Sequence, residues 1–268
     1  MSRQSDPLEQ PKRRRPARVA KEAAARGSLG ANSNAEQEKA AAIRQLELFA
    51  RDLKVAYVAE KRKSRELERS YREMVRRLMR AARMKDRETG AHILRLSAYS
   101  GALARHLGLP GEEVERIAEA APLHDLGKIG VPDSVLQKPG PLSAQEWDMM
   151  KRHSAFGASL LKGSASPLLE TARLIALTHH ERWDGTGYPR GIRGEQIPLC
   201  GRIVMLADQY DALRSPRCYK PAFSHLEARD ILLNGNDRTS PQHFDPLVLA
   251  AFGSLQREFE AIYERIRD

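Results

Sequence analysis

Cysteine is nearly absent: Cys200 and Cys218 are the only two in 268 residues, and neither sits in a CxxC or comparable spacing. That excludes a disulfide-stapled scaffold and a cysteine-ligated zinc module, and the thiols suit a reducing compartment. No apolar run approaches the roughly 18 residues of a membrane span, and the first residues lack the apolar stretch of a secretory leader. A cytoplasmic location is therefore expected. Aromatic residues are 6% of the chain and hydrophobic ones 41%, which leaves a core of ordinary size to be built mainly from aliphatic side chains. Sustained alternation of apolar and polar residues is also missing, which argues against a sheet.

Charge is present in excess but not evenly. The net charge is +10; residues 1–35 carry eight Lys/Arg against three Asp/Glu, residues 36–84 fourteen against eight, and the remainder twenty-three against twenty-four. An anionic ligand of the C-terminal part must thus be held by local groups and not by a broad positive field. Residues 1–35 are rich in Arg, Lys, Ala, Pro, Ser and Gln, with few large apolar side chains to offset the entropy of ordering. They are expected to form a disordered basic tail. Its run Lys12-Arg13-Arg14-Arg15 could meet nucleic acid or a membrane surface, although a solubilising tail is the plainer reading.

Glu36 to Met84 contains neither Gly nor Pro, and a 4-3 spacing runs through Leu46, Ala50, Leu53, Tyr57, Glu60, Ser64, Leu67, Tyr71, Met74, Leu78 and Ala81. This predicts a long amphipathic helix over 36–84, a coiled-coil seam broken by Glu60 and Ser64, and a homodimer through that seam. Beyond Lys85 apolar residues recur at helical spacing in Ile93–Leu107, Val114–Leu126, Trp147–Leu161, Leu168–Thr178 and Ile203–Leu213, separated by Gly/Pro-rich loops. The expected fold is all-α, a helical bundle over 85–268, with one unusually long loop from Trp183 to Leu199.

The residues that carry chemistry are histidines and carboxylates placed on those elements. His124 and Asp125 stand side by side at the expected foot of an apolar helix, with Gly127 ending it. There the imidazole could hold one ion while the carboxylate bridges to a second. Glu88 and His92 are spaced i, i+4 and share a helical face. His153 and the pair His179-His180 supply further nitrogens. Asp208 lies in the apolar run Ile203-Val204-Met205-Leu206-Ala207, where an unpaired carboxylate would cost several kcal/mol, so it needs a cation. Asp211, at i+3, could accept from Lys128, whose ammonium could neutralise charge on a phosphate oxygen. Five His, two Asp and one Glu are too many ligands for one tetrahedral zinc. Mixed imidazole and carboxylate ligation suits two or three ions of iron or manganese, and such clusters serve phosphate-ester hydrolysis.

These segments resemble the HD-GYP family of bacterial phosphodiesterases. The resemblance runs through Glu88-Thr89-Gly90-Ala91-His92, His124-Asp125-Leu126-Gly127-Lys128, Met150-Lys151-Arg152-His153, His179-His180-Glu181-Arg182-Trp183-Asp184-Gly185-Thr186-Gly187-Tyr188-Pro189, Ala207-Asp208-Gln209-Tyr210-Asp211 and Tyr219-Lys220. It implies hydrolysis of cyclic di-GMP, to linear pGpG or GMP, at a di- or tri-metal site. The implied metal ligands are Glu88, His92, His124, Asp125, His153, His179, His180 and Asp208. Lys128, held by Asp211, would contact the scissile phosphate; Arg217 and Lys220 would grip the ligand, and Tyr188 would line the site. Thr186, Arg214 and Cys218 depart from the usual Ser, Thr and Pro. A diguanylate cyclase or a sensor is the class of protein partner this implies. The alternatives are a cyclic-dinucleotide receptor or adaptor without turnover, and an HD phosphohydrolase acting on a related nucleotide.

Overall fold

The computed structural model describes residues 16–83, 85, 90–216 and 222–267, and all regular structure among them is helical. The chain divides into two units, residues 1–72 and 73–268. The described part of the first unit is a single helix, α1 (Pro16–Arg83), which runs on into the second. Its start differs from expectation. Residues 16–35 are helical, not disordered, because Ala, Lys, Arg and Glu favour helix without needing a core, and Pro16 suits the first helical position. The run Lys12–Arg15 lies outside the described residues. Along the expected seam Leu46, Leu53, Tyr57 and Leu67 are all exposed, between 56% and 66%.

In the second unit the helices are α2 (Gly90–His106), α3 (Gly111–Ala120), α4 (Asp133–Leu136), α5 (Ala144–Lys151), α6 (His153–Leu160), α7 (Pro167–Thr178), α8 (Leu199–Arg214), α9 (His225–Asn234) and α10 (Pro246–Arg265). Their starts are written locally. Ser143 with Glu146 and Ser224 with Glu227 form capping boxes at α5 and α9, and Asp245 accepts from the Leu247 N–H at α10. Helix α2 packs against α3, α8 and α10, and α7 bridges α3, α6 and α8. Between α2, α8 and α10 lies an aromatic cluster: Tyr99 stacks on Phe259 at 4.5 Å, and Tyr210 and Phe252 meet Phe259 edge-on at 5.2 and 5.1 Å.

Two expected helices are cut short. The one expected over Val114–Leu126 stops at Ala120, since Pro122 has no N–H to give to the helix ladder and the chain tightens there into a 3-10 turn. The one over Trp147–Leu161 divides at Arg152 into α5 and α6. Helices α9 and α10 were not read from periodicity at all.

Candidate metal centre

The break after α3 makes the site. Ala121–Leu123 forms a short 3-10 turn, His124 and Asp125 follow, and a second 3-10 turn spans Leu126–Gly130. His124 and Asp125 thus stand on a tight double turn instead of the end of an α-helix. Gly127 does not terminate a helix; it lets this turn lie directly on α6. A Cβ there would clash with the His153 carbonyl oxygen and the Gly157 N–H and come within 2.9 Å of Gly157 Cα. That close approach brings His153, the first residue of α6, to Asp125. His179 and His180 extend from the end of α7, His92 comes from α2, and Asp208 and Asp211 from α8.

Seven of the expected ligands converge in two groups. Asp125, His153, His179 and His180 offer ligand atoms within 4.8 Å of one another, as do His92, His124 and Asp208. Asp125 joins the groups: Oδ1 is 3.1 Å from His153 Nε2 and 3.6 Å from His179 Nε2, while Oδ2 is 3.1 Å from His124 Nε2. His92 and His124 place Nε2 at 3.8 and 3.9 Å from Asp208 Oδ1. Glu88 lies outside the described residues, as do Arg217 and Lys220.

The ring tautomers show what the clusters are for. A backbone carbonyl can only accept, so Nδ1–H of His124 donates to Ala121 O at 3.1 Å, that of His153 to Met150 O at 2.7 Å, and that of His179 to Ile175 O at 3.0 Å. Each neutral ring then turns a bare Nε2 lone pair inward. Nε2 of His153 and His179 face each other at 3.3 Å with a carboxylate oxygen beside them, an arrangement that repels itself unless a cation lies among the atoms. Burial lowers the pKa of His179, and more strongly that of His180, which keeps these imidazoles neutral as ligands must be. Burial would raise the Asp125 carboxyl, but Lys128, His124 and His153 outweigh it and hold the group well below the usual carboxylate range. The donor set fits divalent metal.

One expected contact is corrected. Lys128 Nζ lies 2.7 Å from Asp125 Oδ2, whereas Asp211 turns to α2. Asp211 Oδ2 accepts from His92 Nδ1 at 2.8 Å, and both carboxylate oxygens accept from Arg95, at 2.6 Å from Nε and 2.9 Å from Nη2. The reason is packing: α2 lies across α8, and the buried Arg95 guanidinium takes the Asp211 carboxylate in a bidentate grip. Arg95 also donates to Ile266 O at 2.9 Å and sits 4.9 Å from the Tyr263 ring, which ties the end of the chain to the same carboxylate. Asp211 is held below the ordinary range because the His92 and Arg95 hydrogen bonds outweigh the effect of burial. It orients the His92 imidazole, the kind of support that metal-binding histidines require.

The long loop after α7 forms one wall. The Tyr188 ring stacks on His180 at 4.6 Å, and its N–H donates to His180 O at 3.1 Å. Gly187 permits this fold-back, since a Cβ would come within 2.5 Å of Glu181 Cα and His180 O. Asp184 accepts from both the N–H and the hydroxyl of Thr186, so threonine keeps the hydroxyl that serine would supply. Glu181, which the sequence reading passed over, is buried and gathers the N–H of Arg190 at 2.8 Å, with those of Gly191 and Ile192 beside it. Arg95 was also missed. An arginine at i+3 from His92 within an apolar helix was the signal that could have found it, because a buried guanidinium needs a carboxylate.

The sequence model of the HD domain family matches residues 55–248. A cyclic di-GMP phosphodiesterase response regulator of Xanthomonas campestris is 52% identical over 197 residues, covering 74% of this chain and 51% of its own. A cyclic di-GMP phosphodiesterase of Vibrio cholerae is 48% identical over 200 residues, covering 70% and 40%. A 3'3'-cGAMP-specific phosphodiesterase of the same organism is 40% identical over 203 residues, covering 76% and 38%. The chain thus spans about half or less of the length of these curated relatives. The crystal structure of a cyclic GMP-AMP specific phosphodiesterase of V. cholerae matches in fold with a TM-score of 0.51 at 19% identity, over 71% of this chain and 50% of that one.

Proposed function

The chain belongs to the HD domain family, in its HD-GYP branch, and we propose that it is a metal-dependent phosphodiesterase that hydrolyses cyclic di-GMP to linear pGpG or GMP. One observation carries the reading above the others: the Nε2 lone pairs of His124, His153 and His179 converge on a half-buried Asp125 whose two oxygens face two ligand groups. Divalent ions held there, two or three of iron or manganese, would supply an acidified water and the electrostatic clamp that phosphate-ester cleavage needs. Asp125, whose oxygens face both groups, would hold the metal together with Glu88 and Asp208 as the other carboxylates. Lys128, beside Asp125, sets a positive charge where the scissile phosphate would lie. Tyr188 shields the His180 face, and Asp211 fixes His92. Arg217 and Lys220 would take the ligand's outer phosphate and bases.

Turnover separates this reading from a receptor that binds the nucleotide intact. Asp125→Ala removes oxygens shared by both groups, so it abolishes hydrolysis and lowers metal content while leaving the apolar faces untouched. Retention of both metal and turnover defeats the bridging role.

The exposed seam of Leu46, Leu53, Tyr57 and Leu67 supports a homodimer through α1, and a cyclic-dinucleotide substrate would suit a cytoplasmic location. Light scattering reads the assembly: a monomer at micromolar concentration removes the coiled coil. No helix among the described residues is long and apolar enough to cross a membrane.

A further inference from the structure

We infer that the cavity beside the metal centre is the subsite for the guanosine half of the cyclic dinucleotide that lies away from the cleaved phosphate, with Trp147 and Arg238 as the residues that hold its base. The inference rests on the phosphodiesterase reading and adds the part of the site that selects the substrate. The cavity measures about 470 Å³, and His179, His180 and Asp208 form the side that faces the metal groups, so a ligand in it is contiguous with the reacting phosphate. That volume falls in the usual range for small-molecule sites.

Its walls differ in chemistry. Trp147, at 46% exposure, stands edge-on to Tyr188 with ring centres 6.1 Å apart, and Tyr188 is itself stacked on His180. Tyr188 is therefore engaged against a ligand imidazole, while the indole projects from α5 towards solvent as a stacking surface. Gln209, Arg238, Thr239 and His243 also line the cavity. Arg238 is carried on a rigid turn: Asn236 Oδ1 accepts from the N–H groups of Arg238 and Thr239 at 2.9 and 2.8 Å, and the Asn236 N–H donates to Thr239 O at 2.7 Å. Arg238 has no ion-pair partner among the described residues, whereas the lining Lys151 is already 2.7 Å from Asp148.

The cations Lys151, Arg182 and Arg238 line this cavity, and the one carboxylate among its described lining residues, Asp208, belongs to the metal groups. The balance suits an anionic ligand. Among purines, guanine presents the O6 and N7 acceptors side by side, which match a guanidinium fork, while adenine replaces O6 by an N6 donor that opposes it. An indole face accepts either base by stacking. Trp147 thus contributes affinity and Arg238 contributes the preference for guanine.

The test compares kcat/KM for cyclic di-GMP with kcat/KM for bis(p-nitrophenyl) phosphate, a diester without a nucleoside, on metal-loaded full-length protein. Trp147→Ala and Arg238→Ala each lower the ratio of the two about tenfold through KM for the dinucleotide, the scale of one lost base stack or base fork. Trp147→Phe restores most of the loss. An unchanged ratio in both variants overturns the subsite and leaves the phosphodiesterase standing. A parallel fall for both diesters in Trp147→Ala with loss of metal shows that Trp147 only props Tyr188 and His180, which overturns its assignment; Arg238→Ala, on an exposed turn, then decides the cavity. A wild-type protein that cleaves the nitrophenyl ester but not cyclic di-GMP removes the substrate reading beneath the inference.

Discussion

Replacing Asp211 by alanine is expected to do two separable things. Arg95 and Asp211 each expose 1% of their side chains, and they meet through two short hydrogen bonds. Alanine leaves the guanidinium buried without its carboxylate, which costs about 3–5 kcal/mol. Against a total stability of about 5–15 kcal/mol that is roughly a fifth or more of the fold. The same substitution removes the acceptor from His92 Nδ1, 2.8 Å away, and loss of such a support typically weakens metal binding about 10- to 100-fold. Urea denaturation of the metal-free protein reads the first effect, and calorimetric titration with Mn²⁺ reads the second. The double variant Arg95→Met, Asp211→Leu tells them apart. With no unpaired charge left, its stability returns to within about 1–2 kcal/mol of wild type, yet its metal affinity stays low because His92 remains unsupported. Wild-type metal affinity in the double variant would refute the positioning role, and a loss under about 1 kcal/mol in Asp211→Ala would refute the energetic one.

Gly127→Ala changes no ligand, yet it should cost about 1–3 kcal/mol and lower metal content, because the double turn must retreat from α6 and take Asp125 away from His153, now 3.1 Å distant. Normal metal content and an unshifted Tm would contradict it. Asp245→Ala should destabilise by about 3–5 kcal/mol in urea: it removes both the α10 cap on Leu247 and the partner 2.5 Å from Arg202; Asp245→Asn, which keeps the cap, should cost less, and equal losses would show that the cap contributes nothing. Cys200 is buried, with its thiol pushed up to about 11 by burial, so in a Cys218→Ser background it should not react with Ellman's reagent at pH 8 until the protein unfolds. Rapid reaction of the folded protein would count against that burial.

The convergence of the seven candidate ligands was legible because five of them, His92, His153, His179, His180 and Asp208, lie on apolar helices or at their ends, and periodicity locates such helices well. Where the chain turns is harder to read. Pro122 marks the end of α3 only when its missing N–H is weighed against an apolar run that continues past it. The partner of Asp211 was not legible, because the i+3 spacing from Asp208 fixes which face of α8 it occupies but not which side chain α2 brings to that face. The helix over 16–35 was missed for a different reason: a composition too polar to build a core says nothing against a helix that needs no core. Trp147 and Arg238 come from elements far apart in sequence, and only the packing of α5 and the 236–239 turn around the metal centre places them on one cavity.

The central claim is that Asp125 joins two groups of ligands into one multinuclear centre that cleaves a phosphodiester. Metal analysis and product analysis on a single anaerobically purified sample test it most directly. Two or three ions of iron or manganese per chain, with cyclic di-GMP converted to pGpG or GMP in proportion to metal content, is the predicted result. Turnover by protein stripped of metal, or a fully loaded protein that returns the nucleotide intact, would contradict it.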